Sequence, residues 1–161
     1  MKKQFKLLML FAALFIAAAQ VTSCKKSATT PPPTPTPASG KFTATLGAEA
    51  FSAPDAYIMP ALGGTIAVMA KDAKGRSFSI AIFEKDFPVN KAVEVAFSPS
   101  ISYSDEKSKT YIAKSGSMTI TEYGKNSSGT VIKLKGTFSI TVVSDGAEII
   151  VKDGIFDVST K

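Results

Sequence analysis

The chain has 161 residues, a formal charge of +6, one cysteine, no histidine and no tryptophan. Without histidine there is no Ser-His-Asp triad, no histidine-paired cysteine and no histidine metal ligand, which excludes zinc enzymes of the usual kind and most hydrolase designs. A lone cysteine has no disulfide partner within the chain, so an apolar core must hold any fold together.

The first six residues carry three lysines and no acid, and Leu7 to Ala19 then run as thirteen uninterrupted apolar residues. That is the charged start and apolar middle of an export signal, too short for the roughly 20 residues of a membrane-spanning helix. The apolar run gives way through Gln20 to Val21-Thr22-Ser23-Cys24. This stretch resembles the bacterial lipobox. The resemblance implies a diacylglyceryl group on the sulfur of Cys24, signal cleavage between Ser23 and Cys24, and acylation of the new amine. Two or three chains anchor a protein in effect permanently, where a single one binds with only about 10⁴ M⁻¹. Other uses of Cys24 are weaker: an intermolecular bridge, or a thiolate whose only neighbouring bases are Lys25 and Lys26.

Prolines alternating with threonine fill Pro31 to Pro37, a composition that favours extended polyproline II. At about 3.1 Å per residue, Ser27 to Gly40 spans some 40 Å, so residues 24–40 read as a tether between bilayer and domain. Lys25 and Lys26 fall at the headgroups. Of the 19 basic residues, five lie in the signal and tether, leaving 14 against 13 acids from Gly40 on. That balance excludes a polyanion footprint, and with it nucleic acid as a partner.

From Lys41 the sequence alternates with period two. Phe42, Ala44 and Leu46 point one way, Gly47-Ala48 suits a two-residue turn, and Phe51 returns. Ile66, Val68 and Ala70 precede the turn "KDAKGR", and Phe78, Ile80 and Ile82 follow it. Val93, Val95 and Phe97 form a short strand between Pro88 and Pro99. Residues 103–114 alone carry helix signals, with Ser104 as N-cap, acids early and lysines late, in competition with a strand reading. Met118 and Ile120 precede the turn "GKNSSG". Beyond it Ile132, Leu134, Phe138, Ile140 and Val142 share one face, and lysines, threonines and Ser139 the other. In the last strand Ile149 and Val151 are out of phase with Phe156 and Val158, which predicts a bulge at Asp153-Gly154 with a left-handed glycine. The pattern is all-β: an antiparallel meander of about eight strands in residues 41–161, as a sandwich or an open or closed barrel.

Reactive constellations are sparse. Ser104 to Lys107 spells S-x-x-K and Lys114 to Gly116 K-S-G, but the second begins only seven positions after the first ends, no S-D-N lies between them, and coincidence is the better reading. Asp153 and Asp157 are about 13 Å apart on an extended strand, beyond the usual 5–10 Å of a glycosidase pair. Neither Asp145 nor Asp153 sits in an EF-type loop, so no metal, cofactor or catalytic residue is assigned. Tyr103 and Tyr111 are the candidate binding surface, a pair that could stack on sugar.

The lipobox at Cys24, the opening "KFTATLGAEAFSA", the central "GSMTITEY", "KGTFSITV" and the closing "IIVKDGIFDVS" together resemble a family of small uncharacterised lipoproteins of Bacteroidetes-type bacteria, catalogued as a domain of unknown function. The resemblance implies a lipid-anchored envelope β-domain without established activity. Surface lipoproteins of such bacteria tend to carry acids after the cysteine. Lys25 and Lys26 stand there instead, which places the expected address at the periplasmic side of the outer membrane. The expectation is a non-catalytic module that binds a protein or glycan, with a barrel-type carrier of a small apolar ligand as the alternative.

Overall fold

The computed structural model describes residues 40–60, 64–95 and 98–161; Ser23, Cys24, the signal and most of the tether lie outside them. Nine strands follow in chain order: β1 (Gly40–Leu46), β2 (Glu49–Pro60), β3 (Thr65–Lys71), β4 (Ser77–Phe83), β5 (Ala92–Glu94), β6 (Ser100–Ser104), β7 (Thr110–Lys125), β8 (Val131–Ser144) and β9 (Ala147–Ser159). All strand pairs are antiparallel. β1 pairs with β2 on one side and β9 on the other, and β7 pairs with both β6 and β8, so eight strands close on themselves. The fold is a closed meander barrel, which removes both sheet edges. β5 stands outside the ring, laid along Ser117–Thr119 of β7 beyond the stretch that β6 occupies.

Alternation decides which side chains enter. Phe42, Phe51, Phe78, Phe138 and Phe156 all point inward and are almost fully buried, each contributing about 1.5–3 kcal/mol of burial. Their rings meet in one cluster: Phe42 stacks on Phe78 at 5.2 Å, Phe51 meets Phe78 edge-on at 5.0 Å, and Phe138 lies 5.4 Å from Phe42. An eight-stranded barrel is just wide enough for side chains to fill, and this one is filled by aromatics.

The β8–β9 pairing makes room for two of those rings. Gly136 faces Phe156 and Gly154 faces Phe138 across the ladder. A Cβ on Gly136 would lie 2.4 Å from Phe156 Cζ, and one on Gly154 2.5 Å from Phe138 Cε1. Each ring therefore lies over the bare backbone of the other strand. This corrects the reason for the expected bulge: Ser139 opposes Lys152 and Asp153 there, but Asp153 is the left-handed residue (φ 51°), and Gly154 is glycine for contact.

Two other expectations are corrected. Residues 103–114 form strand, turn and strand, because Asp105 Oδ1 accepts hydrogen bonds from the backbone N–H of Lys107 and Lys109, both at 2.9 Å, and turns the chain back. Ser104 is the last residue of β6 rather than a helix cap. Ile132 faces out, 37% exposed, because Gly124 pairs with Lys133 and Lys125 with Val131. The register shift gives the buried position to Val131. The strand expected through Phe97 ends at Glu94, with Val95 buried just after it; Phe97 lies outside the described residues.

Three hairpin loops share one construction. In Asp72–Arg76, Asp105–Lys109 and Asn126–Thr130, the first side chain accepts from the N–H groups two and four residues on, at 2.9–3.1 Å. The fourth residue, Gly75, Ser108 or Gly129, has φ of 87°, 63° or 81°. This is the three-residue hairpin whose last loop residue is left-handed. Two positions use glycine and one serine.

Candidate functional site

Four turns gather at one end of the barrel: Gly47-Ala48, Asp72–Arg76, Asp105–Lys109 and Asp145-Gly146. Gly40 and Lys161 lie at the other end, with the β7–β8 turn. The four turns are laced together. Gly47 N–H donates to the Ile150 carbonyl at 2.8 Å, Arg76 bonds Glu49, and Lys109 lies 3.4 Å from Asp145.

Arg76 is the keystone of this end. Its side chain is only 5% exposed, as is that of Asp72. The guanidinium donates through Nε to Asp72 Oδ2 at 2.7 Å, through one terminal nitrogen to Glu49 Oε2 at 3.0 Å, and through the other to the Ala50 carbonyl at 2.7 Å. It also lies 5.6 Å from the centre of the Phe51 ring. Burial works against its charge, but the hydrogen bond and charge of Asp72, helped by Tyr103 and Glu49, more than offset this and raise its pKa above the ordinary value. Such a plug is charge-satisfied on one side and aromatic on the other.

Above the plug the turns enclose an open hollow of about 660 Å³. Its wall combines apolar Leu46, Ile149 and Ile150 with Tyr103, Arg76 and the polar rim Glu49, Asp105, Glu106, Lys107 and Glu148. Two of the carboxylates are already occupied, Glu49 by Arg76 and Lys74, and Glu148 by Lys114 at 2.7 Å. Glu106 and Lys107 project from the exposed tip of the β6–β7 turn.

The residues singled out from sequence fall in several places. Tyr103 and Tyr111 are neighbours, with ring centres 5.7 Å apart, but they face inward at 4% and 8% exposure. They form no outward stacking platform; Tyr103 contributes to the wall of the hollow, and burial pushes its hydroxyl pKa up. Ser104 shares a hydrogen bond with Thr110 at 3.2 Å, and Lys107 stands in the adjoining turn. Asp157 pairs with Lys135 at 2.9 Å, and Asp153 sits on the bulge. Among the described residues no group of three or more Asp, Glu, Cys or His could hold a metal ion.

Arg76, Asp72 and Glu49 went unread in the sequence. The one signal for them is an aspartate and an arginine four apart across a glycine turn, in "DAKGR", where each is an ordinary turn residue until the barrel closes over them. No protein-family model matches the chain, and no curated protein or solved structure matches it.

Proposed function

We propose that the chain is an exported lipoprotein, held in the cell envelope by lipid on Cys24, whose barrel is a non-catalytic module that takes a short glycan in the mouth. The observation that carries this reading is the hollow of about 660 Å³ at the end remote from Gly40, within the 300–1,000 Å³ typical of ligand sites. Its wall suits a sugar. Leu46, Ile149 and Ile150 offer surface for C–H faces, with Tyr103 set in the wall among them, while the Glu106 and Asp105 carboxylates accept from hydroxyls and Lys107 donates to them. The resemblance to small Bacteroidetes-type lipoproteins and the lipobox support the anchor and the periplasmic side of the outer membrane as the address.

A carrier of a small apolar ligand is the alternative. The aromatic packing of the barrel interior and the charged rim of its mouth favour a polar ligand instead. A protein partner at the same mouth is the competing occupant.

The test is binding of the purified chain to an oligosaccharide array, followed by titration of the best ligand. Glu106→Gln and Tyr103→Phe, which keep shape and remove a charged acceptor or a hydroxyl, each weaken binding about tenfold, the worth of one hydrogen bond to a charged group. A chain that binds no oligosaccharide, and is instead retained by one envelope protein through the same residues, contradicts the glycan reading.

A further inference from the structure

The floor of the mouth narrows which sugar it takes. A guanidinium carries five N–H donors. In Arg76 the Nε donor is engaged by Asp72, one terminal nitrogen donates to Glu49 and the other to the Ala50 carbonyl. Each terminal nitrogen therefore keeps one N–H without a partner among the described residues, on a side chain that is 5% exposed and borders the hollow. A desolvated donor left open in this way is costly until something accepts from it. The donors are open, but the charge is already met. Asp72 stands 2.7 Å and Glu49 3.0 Å from the guanidinium. The hollow is bordered by the carboxylates of Glu49, Asp105, Glu106 and Glu148 and, besides Arg76, by the single cation Lys107.

An anionic group such as a uronate or a phosphate finds no positive excess there and meets like charge on the rim. The acceptor that suits these donors is neutral, a carbonyl oxygen, which still gains from a charged donor. Acceptors and apolar surface stand beside the donors. Glu106 has no ion-pair partner among the described residues, and Asp105 commits Oδ1 to the backbone N–H groups of its own turn but not Oδ2. Leu46, Ile149 and Ile150 supply the apolar part of the wall. We propose that the mouth selects N-acetylated sugars: the acetamido carbonyl accepts from the open N–H groups of Arg76, the acetamido N–H donates to Glu106 or Asp105, and the methyl lies against the apolar wall. A hydroxyl in the same place is a weaker acceptor and has no methyl. An unacetylated amine brings a cation up to the guanidinium.

This selectivity rests on the glycan reading of the mouth, and its test separates the two. The full chain in detergent is titrated calorimetrically with a chito-oligosaccharide, its deacetylated form, a cello-oligosaccharide of the same linkage, an oligogalacturonate, and an N-acetylated alanine peptide that carries amides without sugar rings. The chito-oligosaccharide is expected to bind about tenfold tighter than each of the others, the worth of one hydrogen bond to a charged group. Arg76→Lys keeps the charge but has three N–H donors, the number that Asp72, Glu49 and Ala50 already take, so none remains for a ligand. In protein that still melts cooperatively, this variant narrows the gap between chito- and cello-oligosaccharide to about twofold; an undiminished gap overturns the role of Arg76. Should the variant not fold, the series on the unaltered chain decides. Equal binding of the cello-oligosaccharide, or tighter binding of the deacetylated or acidic chain, overturns the acetamido preference and leaves the glycan reading standing. So does binding of none of the four sugars while another oligosaccharide on the array is held. The peptide binding as tightly as the chito-oligosaccharide overturns the sugar selectivity and favours a protein partner. A chain that holds no oligosaccharide of any kind removes both readings.

Discussion

Arg76 is the residue on which the mouth depends most. Its guanidinium and the Asp72 carboxylate are each only 5% exposed and 2.7 Å apart, so neither is screened as a surface pair is. Arg76→Met keeps roughly the side-chain length and its contact with Phe51, but removes the charge. It leaves the Asp72 carboxylate buried without its nearest cation and the Ala50 carbonyl without its donor. Breaking one partner of a buried pair costs about 3–5 kcal/mol. For a domain of this size that lowers the melting temperature by roughly 10–20 °C. Adding Asp72→Asn removes the stranded charge while the side-chain oxygen still accepts from the Lys74 and Arg76 backbone N–H groups. The double variant is therefore more stable than Arg76→Met alone. Urea unfolding followed by circular dichroism measures both, with the midpoint moving and the slope unchanged. A cost below about 1 kcal/mol for Arg76→Met, or a double variant less stable than the single, refutes the assignment of Arg76 as a buried keystone.

Four further outcomes follow from the geometry. Ser108→Gly stabilises the protein by about 1 kcal/mol in thermal unfolding, because Ser108 holds a left-handed φ that glycine adopts freely in the two sister loops. Gly136→Ala and Gly154→Ala each cost about 1–3 kcal/mol by urea unfolding, since the added methyl meets a Phe ring across the β8–β9 ladder. Lys125 holds the Glu84 carboxyl below its ordinary 4.5, and Lys133 does the same for Glu122. The stability these carboxylates contribute is complete above their ordinary pKa and is lost as pH falls through the depressed values. The urea midpoint therefore drops on acidification below pH 4.5, and drops less in Glu122→Gln. Cys24→Ala abolishes metabolic labelling with palmitate and blocks signal cleavage; a variant still labelled and processed at this site contradicts the lipid anchor.

The strands were legible because period-two alternation records burial directly. Phe42, Ala44 and Leu46, or Phe78, Ile80 and Ile82, enter the core as the pattern predicts. Closure was not legible, because it depends on β1 meeting β9 and β7 meeting β8, and no local pattern records which distant strand completes a ring. The segment 103–114 misled for a specific reason. Ser108 occupies the loop position where Gly75 and Gly129 stand in the other two loops, so the turn lacks its glycine mark and its charges imitate a helix. Ile132 misled because a register shift is set by pairing with β7 and not by the strand's own alternation. The mouth was half visible. Tyr103 was singled out for stacking and does reach the hollow, but from inside the barrel. Arg76 was hidden, since a buried charge looks like a surface charge until its carboxylate partner is folded against it.

The proposal that the mouth takes a glycan is tested by photo-crosslinking in the native envelope, with the photoreactive side chain placed at Glu106 on the rim and, as a control, at Thr137 on the outer wall. Carbohydrate adducts are expected from position 106 and none from position 137. Protein adducts alone from 106, or the same adducts from both positions, contradict it.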